Sequence, residues 1–543
     1  MKISKEKEPA KPLSFINFWF AGCMIAVLLV FNLGRDIDRP FYGLHSWGAA
    51  SGAWAARSHY EYGFGYTHFM TTWAVGNPPT QNPSRYLDHP QLSGIVATAA
   101  FAIFGVNERA PRIFNLFTSV LALLLFLKIV RKLIDEKTAL LAGLLYAIFP
   151  LTCYFGTGSW IPVTGFWAIW CYLVLIGAIK TEGLASKWYK IGLAVSLFLT
   201  LQFGWPGFFW AFAIGVHYVA RCAVWKIMPQ IGLLSILVIA PLSSLALNFL
   251  VMAQGYGWDV EKIVSLYKWR SAKGEMAAFH WGAWFAKFWE FALTNFTAPI
   301  LIAAIAYLVF GQVYAFCRKQ TEESEFEGRR FSQYWLFMLI PVSQLLILRG
   351  QMWKHQFWEM PCGPVIAIAA ASGVMLLWDV LKTVNRKVAA VTAAAVVGCI
   401  AVFCLMGANY YYDIRWQPVE KINMFKQLNA EIPSDKSLLS FEDFIVNQNE
   451  AKGGFYRPEI AWYLDREIVS AQSLADIEKL AATGEYPYYL ILQATETMPL
   501  INELAKKYKY EYVAGVEGES KSGKPLRAGM MPYFIFDLQS VKK

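Results

Sequence analysis

Eleven times between residues 13 and 408 the chain runs apolar for about the distance that separates the two faces of a bilayer. An α-helix rises 1.5 Å per residue, so about 20 apolar residues cross a hydrocarbon core of about 30 Å. The runs are 13–34, 113–130, 138–156, 160–179, 189–204, 206–224, 228–250, 297–316, 332–348, 361–380 and 388–408. Backbone polar groups in lipid must be satisfied within the segment, which dictates helices. The expected fold is therefore a polytopic α-helical membrane protein with about 11 transmembrane helices. The first run follows a lysine-rich start but has the length of a full span, so it reads as an anchor rather than a cleaved signal.

Charge sets the orientation. With the N-terminus cytoplasmic, the inside loops are KIVRKLIDEK (128–137), KTEGLASKWYK (180–190), the Arg221 to Lys226 turn, CRKQTEESEFEGRR (317–330) and Lys382 to Lys387. These hold most of the positive charge of the membrane part, as the positive-inside tendency requires. The net charge of +10 is thus a topology signal. It does not form a groove for nucleic acid, and no nucleic-acid partner is expected. The eight cysteines are scattered through apolar runs without a CxxC pair, which suits small buried hydrophobes better than disulfides or a metal.

An odd number of spans places residues 409–543 outside. There REIVSA (466–471), YPYYLILQA (486–494), YKYEYVA (508–514) and PYFIFDL (532–538) read as strands. IAWYL, LADIEKLAA and LINELAKKY read as intervening helices, the second capped by Ser473 with Asp476 at its third position. Such alternation predicts a C-terminal soluble α/β domain. The organisation is then a membrane domain, 1–408, which includes the exoplasmic loop 35–112, followed by an exoplasmic or periplasmic domain, 409–543.

The polar residues with chemical potential gather in the outer segments 35–112, 251–296 and 348–360. Asp36 and Asp38 lie just beyond the first span, where a carboxylate can take a proton from an acceptor hydroxyl or help hold a divalent ion. His45, with Asp88 and His89 a candidate for the acceptor site or a metal, opens an amphipathic piece (46–60) that ends in Arg57 and His59 and could pack along the bilayer. Asp88 and His89 precede Pro90 and QLSGIVATAAFAIFG (91–105), a stretch too short to cross, read as a helix embedded in or lying along the outer surface. Asp88 there can cap the helix or serve a site. Arg109 and Arg112, with Glu108, stand before the second span, and Arg349, Lys354 and His355 fill RGQMWKHQFWEMP. Cations outside a membrane oppose the positive-inside tendency and ask for an anionic partner: a lipid phosphate, or Glu359. Lys268, Arg270 and His280 form a weaker set. Asn295-Phe296-Thr297 matches a glycosylation triplet but abuts a span.

These pieces resemble a known group. YLDHPQL (86–92) is similar to an acid-x-His-Pro-Pro-Leu pattern, and FGVNERAPRIFNLF (104–117) to a Gly…Glu-x-x-x-Arg pattern opening the second span. KHQFWEMPCGP (354–364) resembles a His-aromatic-Pro segment, and HSWGAASGAWAARSHYEYG (45–63) a bacterial His-Ser-Trp…Ala-Arg segment. Together they resemble the GT-C fold glycosyltransferases that use lipid-phosphosugars, the group of protein O-mannosyltransferases and bacterial aminoarabinose transferases. The resemblance implies a sugar donor on a polyprenyl phosphate such as undecaprenyl phosphate, and inverting transfer on the exoplasmic side. Carried over, Asp36 or Asp38 is the general base, Asp88 and His89 shape the acceptor site, and Arg109 or Arg112, Lys354 and His355 meet the phosphate. The chain departs from the group in having Asp36-Ile-Asp38 for an Asp-Glu pair, and Gln91 for the second proline.

The reading is an inverting glycosyltransferase of a prokaryotic inner (plasma) membrane, multi-pass, acting with membrane lipids around it. Its acceptor is a lipid, glycan or protein hydroxyl. The acids could work alone or around Mg²⁺ or Mn²⁺, so the sequence leaves metal dependence open. The alternatives are a lipid-linked glycan transporter or flippase, which would favour binding groups at the middle of broken helices, and a catalytically inactive membrane scaffold.

Overall fold

The computed structural model describes residues 15–35, 37–41, 44–77, 79, 83–87, 89–156, 160–179, 181, 185–261, 264–265, 280–311, 323–415, 420–433, 435–441, 458–513 and 532–542. The chain divides into two compact units. One comprises residues 1–35, 115–249 and 260–409; the other comprises 36–114, 250–259 and 410–543. Residues 36–114 thus group with the tail, whereas the boundary drawn on hydropathy put them with the spans.

The first unit is helical. Among the described residues six helices are long and apolar enough to cross a membrane: Phe15–Gly34, Arg109–Leu133, Pro206–Val224, Ile231–Gly255, Cys362–Val384 and Arg386–Tyr412. The pair Trp281–Phe296 and Ala298–Gly311, bent by 105°, brings the number to seven if it is one span. The expected eleven exceeds this because hydropathy does not see where a helix stops. The run 138–156 breaks at Phe149, whose backbone is extended ahead of Pro150, giving helices Glu136–Ile148 and Pro150–Phe155. The run 160–179 becomes the 15-residue helix Ile161–Leu175, and 332–348 supplies only the short apolar part Tyr334–Ile347. The chain is a multi-pass membrane protein, and the outward faces of its spans are accordingly greasy. Phe15, Ile16, Phe20 and Phe31 are each more than two-thirds exposed, and only 17% of the Arg386–Tyr412 window is buried.

Inside this unit Phe126, Phe149, Phe166, Trp170, Tyr172 and Phe296 are fully buried in one continuous core. Helix Ile161–Leu175 reaches helix Pro206–Val224 closely because Gly165 has no side chain; a Cβ there would lie 2.3 Å from the Trp210 ring. At the 128–137 turn Asp135 caps helix Glu136–Ile148, accepting the Thr138 N–H at 2.8 Å, while Arg131 pairs with Glu136 at 2.5 Å.

The second unit holds helix Ser46–Thr67 packed on helix Leu92–Phe104, which at 13 residues is too short to cross a bilayer. Strands β1 (Thr72–Trp73) and β2 (Ser84–Arg85) pair antiparallel beside them. The tail forms a five-stranded sheet of β3 (Leu438–Ser440), β4 (Ile468–Ser470), β5 (Tyr488–Leu492), β6 (Tyr508–Val513) and β7 (Tyr533–Val541). The order is β4-β3-β5-β7-β6; β4, β3 and β5 run parallel, while β7 is antiparallel to both of its neighbours. Helices Pro458–Leu464, Leu474–Ala481 and Met498–Lys507 lie between strands, and Ser473 caps the second by accepting the Asp476 N–H at 3.1 Å. One core joins loop and tail. Phe41, Trp54, Trp73 and Phe101 are buried with Ile422, Phe425, Trp462 and Leu490.

Candidate active site

The loop after the first span is shaped by a cation. Arg112 Nη1 donates to the Ile37 carbonyl at 3.2 Å and to the Arg39 carbonyl, Nη2 donates to the Pro40 carbonyl at 3.4 Å, and the guanidinium lies 5.1 Å from the Phe41 ring centre. The planar fork of an arginine can satisfy several carbonyls of one turn with a single side chain. Beside it Arg109 Nε meets Asp38 Oδ1 at 2.6 Å, both side chains more than half exposed. Asp38 and Arg109, placed on opposite sides of the expected chemistry, therefore form an ion pair. Asp36 lies outside the described residues.

Glu108 is tied down as well. Its carboxylate accepts the Tyr463 hydroxyl at 2.9 Å and stands 3.3 Å from Lys426 Nζ, while the same hydroxyl accepts the Phe41 N–H at 2.6 Å. Burial and the neighbouring Glu108 charge push the Tyr463 hydroxyl upward. Tyr463 thereby joins both ends of the 36–114 segment to helix Pro458–Leu464, a role that sequence reading missed because the partners lie 355 and 422 residues away.

His45 starts helix Ser46–Thr67 in the left-handed region, φ 58°, and is half-buried. His89 stacks on Tyr86, ring centres 5.0 Å apart. Asp88 lies outside the described residues. Helix Leu92–Phe104 begins two residues after Pro90, with Gln91 as the residue before it. Gln91 is the second residue that sequence reading undervalued. Only 6% exposed, it donates to the carbonyls of His89 and Tyr86 and accepts the Thr71 N–H at 2.5 Å. Where the resembled pattern has proline, this chain has an amide that pins the turn carrying His89.

The 46–60 piece is not a surface helix with Arg57 and His59 facing outward: they are 4% and 2% exposed. Arg57 pairs with Asp465 at 2.8 Å, donates to the Trp462 carbonyl at 2.9 Å and lies 4.6 Å from the Trp462 ring centre. His59 Nδ1 hydrogen-bonds the Thr67 hydroxyl at 2.7 Å. That hydroxyl in turn donates to Gly63 O at 3.1 Å, across the kink that Gly63 makes at φ 78°. The imidazole Nδ1 is therefore the donor and Nε2 carries the lone pair. Burial lowers the His59 pKa to about 4.

The other cationic group belongs to the first unit. Arg349 sits 5.7 Å from the Trp281 ring centre, and its carbonyl accepts the Trp284 indole N–H at 3.1 Å. His355 stacks on Phe357, ring centres 5.2 Å apart, and its backbone N–H donates to the Gln351 carbonyl at 2.9 Å. The Lys354 side chain lies outside the described residues, as do Lys268 and Arg270; His280 precedes helix Trp281–Phe296. Glu359, considered as a salt-bridge partner for these cations, instead accepts from Asn295 at 2.9 Å. Asn295 is fully buried, which takes its triplet out of the reach of a glycosylating enzyme. Among the described residues no three His, Cys, Asp or Glu side chains converge to hold a metal. The one described carboxylate of the expected acid group, Asp38, faces an arginine instead of a second acid.

The model of the dolichyl-phosphate-mannose-protein mannosyltransferase family matches residues 88–244, the stretch from Asp88 into the fourth of the six long apolar helices. No curated protein matches the sequence at a significant level. Among solved structures the chain is similar to ArnT from Cupriavidus metallidurans bound to undecaprenyl phosphate, at 12% identity and TM-score 0.57, over 97% of this chain and 98% of that one. It is also similar to the oligosaccharyltransferase AglB from Archaeoglobus fulgidus, in complex with an inhibitory peptide and a dolichol-phosphate, at 12% identity and TM-score 0.54, over 94% and 74%. The fold is that of the GT-C glycosyltransferases of lipid-linked sugars.

Proposed function

We propose that this protein is an inverting glycosyltransferase that moves a sugar from a polyprenyl-phosphate donor to an acceptor hydroxyl on the exoplasmic face of a prokaryotic plasma membrane. The observation that supports it most is the likeness, along nearly the whole of both chains, to a protein solved with undecaprenyl phosphate. The match to a mannosyltransferase model over 88–244 points the same way.

In this reading the acceptor oxygen attacks the anomeric carbon from the face opposite the phosphate. The C–O bond to the phosphate breaks, and the polyprenyl phosphate leaves with the electron pair. Asp38 or Asp36 takes the acceptor proton. Arg109 holds the Asp38 carboxylate in place until the hydroxyl displaces it. Arg112 holds the turn on which Asp38 stands and so acts as a positioning residue. Arg349, Lys354 and His355 are the cations assigned to the departing phosphate. His89, with Asp88 beside it in sequence, is assigned to the acceptor. Lipid, glycan and protein hydroxyls share the chemistry asked of that site. Mg²⁺ or Mn²⁺ would serve here only with a further acid beside Asp38.

The test is sugar release from radiolabelled undecaprenyl-phosphate-sugar by the purified protein in lipid, with acceptor pools and with or without EDTA. Turnover that survives EDTA and is abolished by Asp38→Asn or Asp36→Asn, with donor binding intact, supports the reading. A wild-type protein that neither binds nor consumes the donor overturns it in favour of transport or a scaffold role.

A further inference from the structure

Helices Trp281–Phe296 and Ala298–Gly311 meet at Thr297, where φ is 67° and the axis turns by 105°. Glu359, fully buried, lies against the end of the first of them, closing the 3₁₀ turn Gln356–Glu359. Its Oε2 accepts from Asn295 Nδ2 at 2.9 Å, and the same amide donates to the Gln356 carbonyl at 3.0 Å. Oε1 has no hydrogen-bond partner, and no cation among the described residues bridges this carboxyl. An ion so placed would have one neutral amide for company, whereas a carboxylic acid accepts the same bond without a charge to desolvate.

The charged and titratable neighbours are few. Helix Trp281–Phe296 carries Lys287 and Glu290, which pair with each other at 2.9 Å. Helix Cys362–Val384 opens with the Cys362 thiol. Helix Glu323–Ile347 brings the neutral Gln344, whose Nε2 donates to the Trp358 carbonyl at 3.3 Å. Arg349 and His355 lie in the same segment as Glu359, against Trp281 and Phe357, and the Lys354 side chain is outside the described residues. Three side chains thus grip the backbone of 349–359: Trp284 at Arg349, Asn295 at Gln356 and Gln344 at Trp358. Of the three, only Asn295 also holds a buried acid.

We propose that Glu359 is a neutral carboxylic acid in the folded protein, and that with Asn295 it forms a positioning pair setting the segment of Arg349, Lys354 and His355 for an anionic lipid phosphate. The lipid half of this rests on the glycosyltransferase reading; the protonation and the clamp do not.

Three measurements on the full-length protein in lipid test it. Infrared difference spectra between wild type and Glu359→Gln should show the carbonyl stretch of a protonated acid lost with the substitution. Amide hydrogen exchange in 349–360 should quicken about tenfold in Glu359→Ala and in Asn295→Leu, yet stay at the wild-type rate in Glu359→Gln, which keeps the acceptor. Binding of undecaprenyl phosphate should weaken about tenfold in Glu359→Ala, with KM for the undecaprenyl-phosphate-sugar donor rising far more than kcat falls, and both should be rescued by glutamine. A carboxylate band in place of the acid band overturns the proposal. So does a glutamine variant as impaired as alanine, or an alanine variant with unchanged exchange. Wild-type protein that binds no undecaprenyl phosphate would sink the glycosyltransferase reading, while the acid band and the exchange rates would still decide on Glu359.

Discussion

Arg57 and Asp465, separated by 408 residues in sequence, meet at 2.8 Å inside the unit that joins residues 36–114 to the tail. Burial raises the Asp465 carboxyl, and the Arg57 charge opposes that rise. Glu61, 3.9 Å from the same guanidinium, is raised by burial in the same way. Removing the cation leaves two half-buried acids facing each other, so Arg57→Ala should cost about 3–5 kcal/mol. Asp465→Asn keeps a polar partner at the surface side and should cost about 1 kcal/mol. Thermal unfolding of the purified protein, with both single variants and the double variant, measures the coupling; additive losses would show that the pair does not act as one.

His59 makes the second unit sensitive to mild acid. Its pKa is about 4 in the folded protein against an ordinary value of about 6.5, so the unfolded chain binds more protons between these limits. Stability from this residue is complete above about pH 6.5 and falls as pH drops towards 4, by at most about 1.4 kcal/mol per unit. Unfolding midpoints across that range should slope for wild type, and the slope should shrink in His59→Gln. Parallel slopes would assign the acid lability to other groups.

Asp38 is exposed and contributes a surface ion pair to the fold, worth about 0–1 kcal/mol. Asp38→Asn should therefore leave the unfolding midpoint where it is while turnover drops about 100-fold or more, if this acid is the base. The same loss in Asp36→Asn, with Asp38→Asn active, would move the assignment two residues upstream.

Arg112 offers a separate check, because lysine keeps its charge but not its fork. Arg112→Lys cannot satisfy the carbonyls of Ile37, Arg39 and Pro40 together, and should lower kcat about tenfold through a loosened Asp38 turn. A binding role for the charge alone would leave lysine active and make only Arg112→Ala deficient.

Hydropathy found the membrane helices that are uniformly apolar over 18 residues or more, because burial in lipid demands the same residue types whatever the neighbours. It did not foresee the break at Pro150, since local backbone geometry ends a helix without changing its composition. Strand-forming runs made the strands at 468–470, 488–492, 508–513 and 533–541 readable, and the Ser473 cap did the same for helix Leu474–Ala481, these being short-range rules. The three-residue strand Leu438–Ser440 was too short to carry a period, yet it sits beside β5 inside the sheet.

The chain's own text was thus sufficient for what depends on neighbours a few residues apart: greasy helices, strands of the tail, and the small set of polar residues between the apolar runs. Tertiary structure alone decided which of those residues face one another. It set Asp38 against Arg109, turned Arg112 inward onto three carbonyls, buried Arg57 on Asp465, and gave Glu359 to Asn295 in place of a cation. Ion pairs and buried hydrogen bonds act over a few ångströms of space, and in this chain those few ångströms separate residues as much as 408 positions apart.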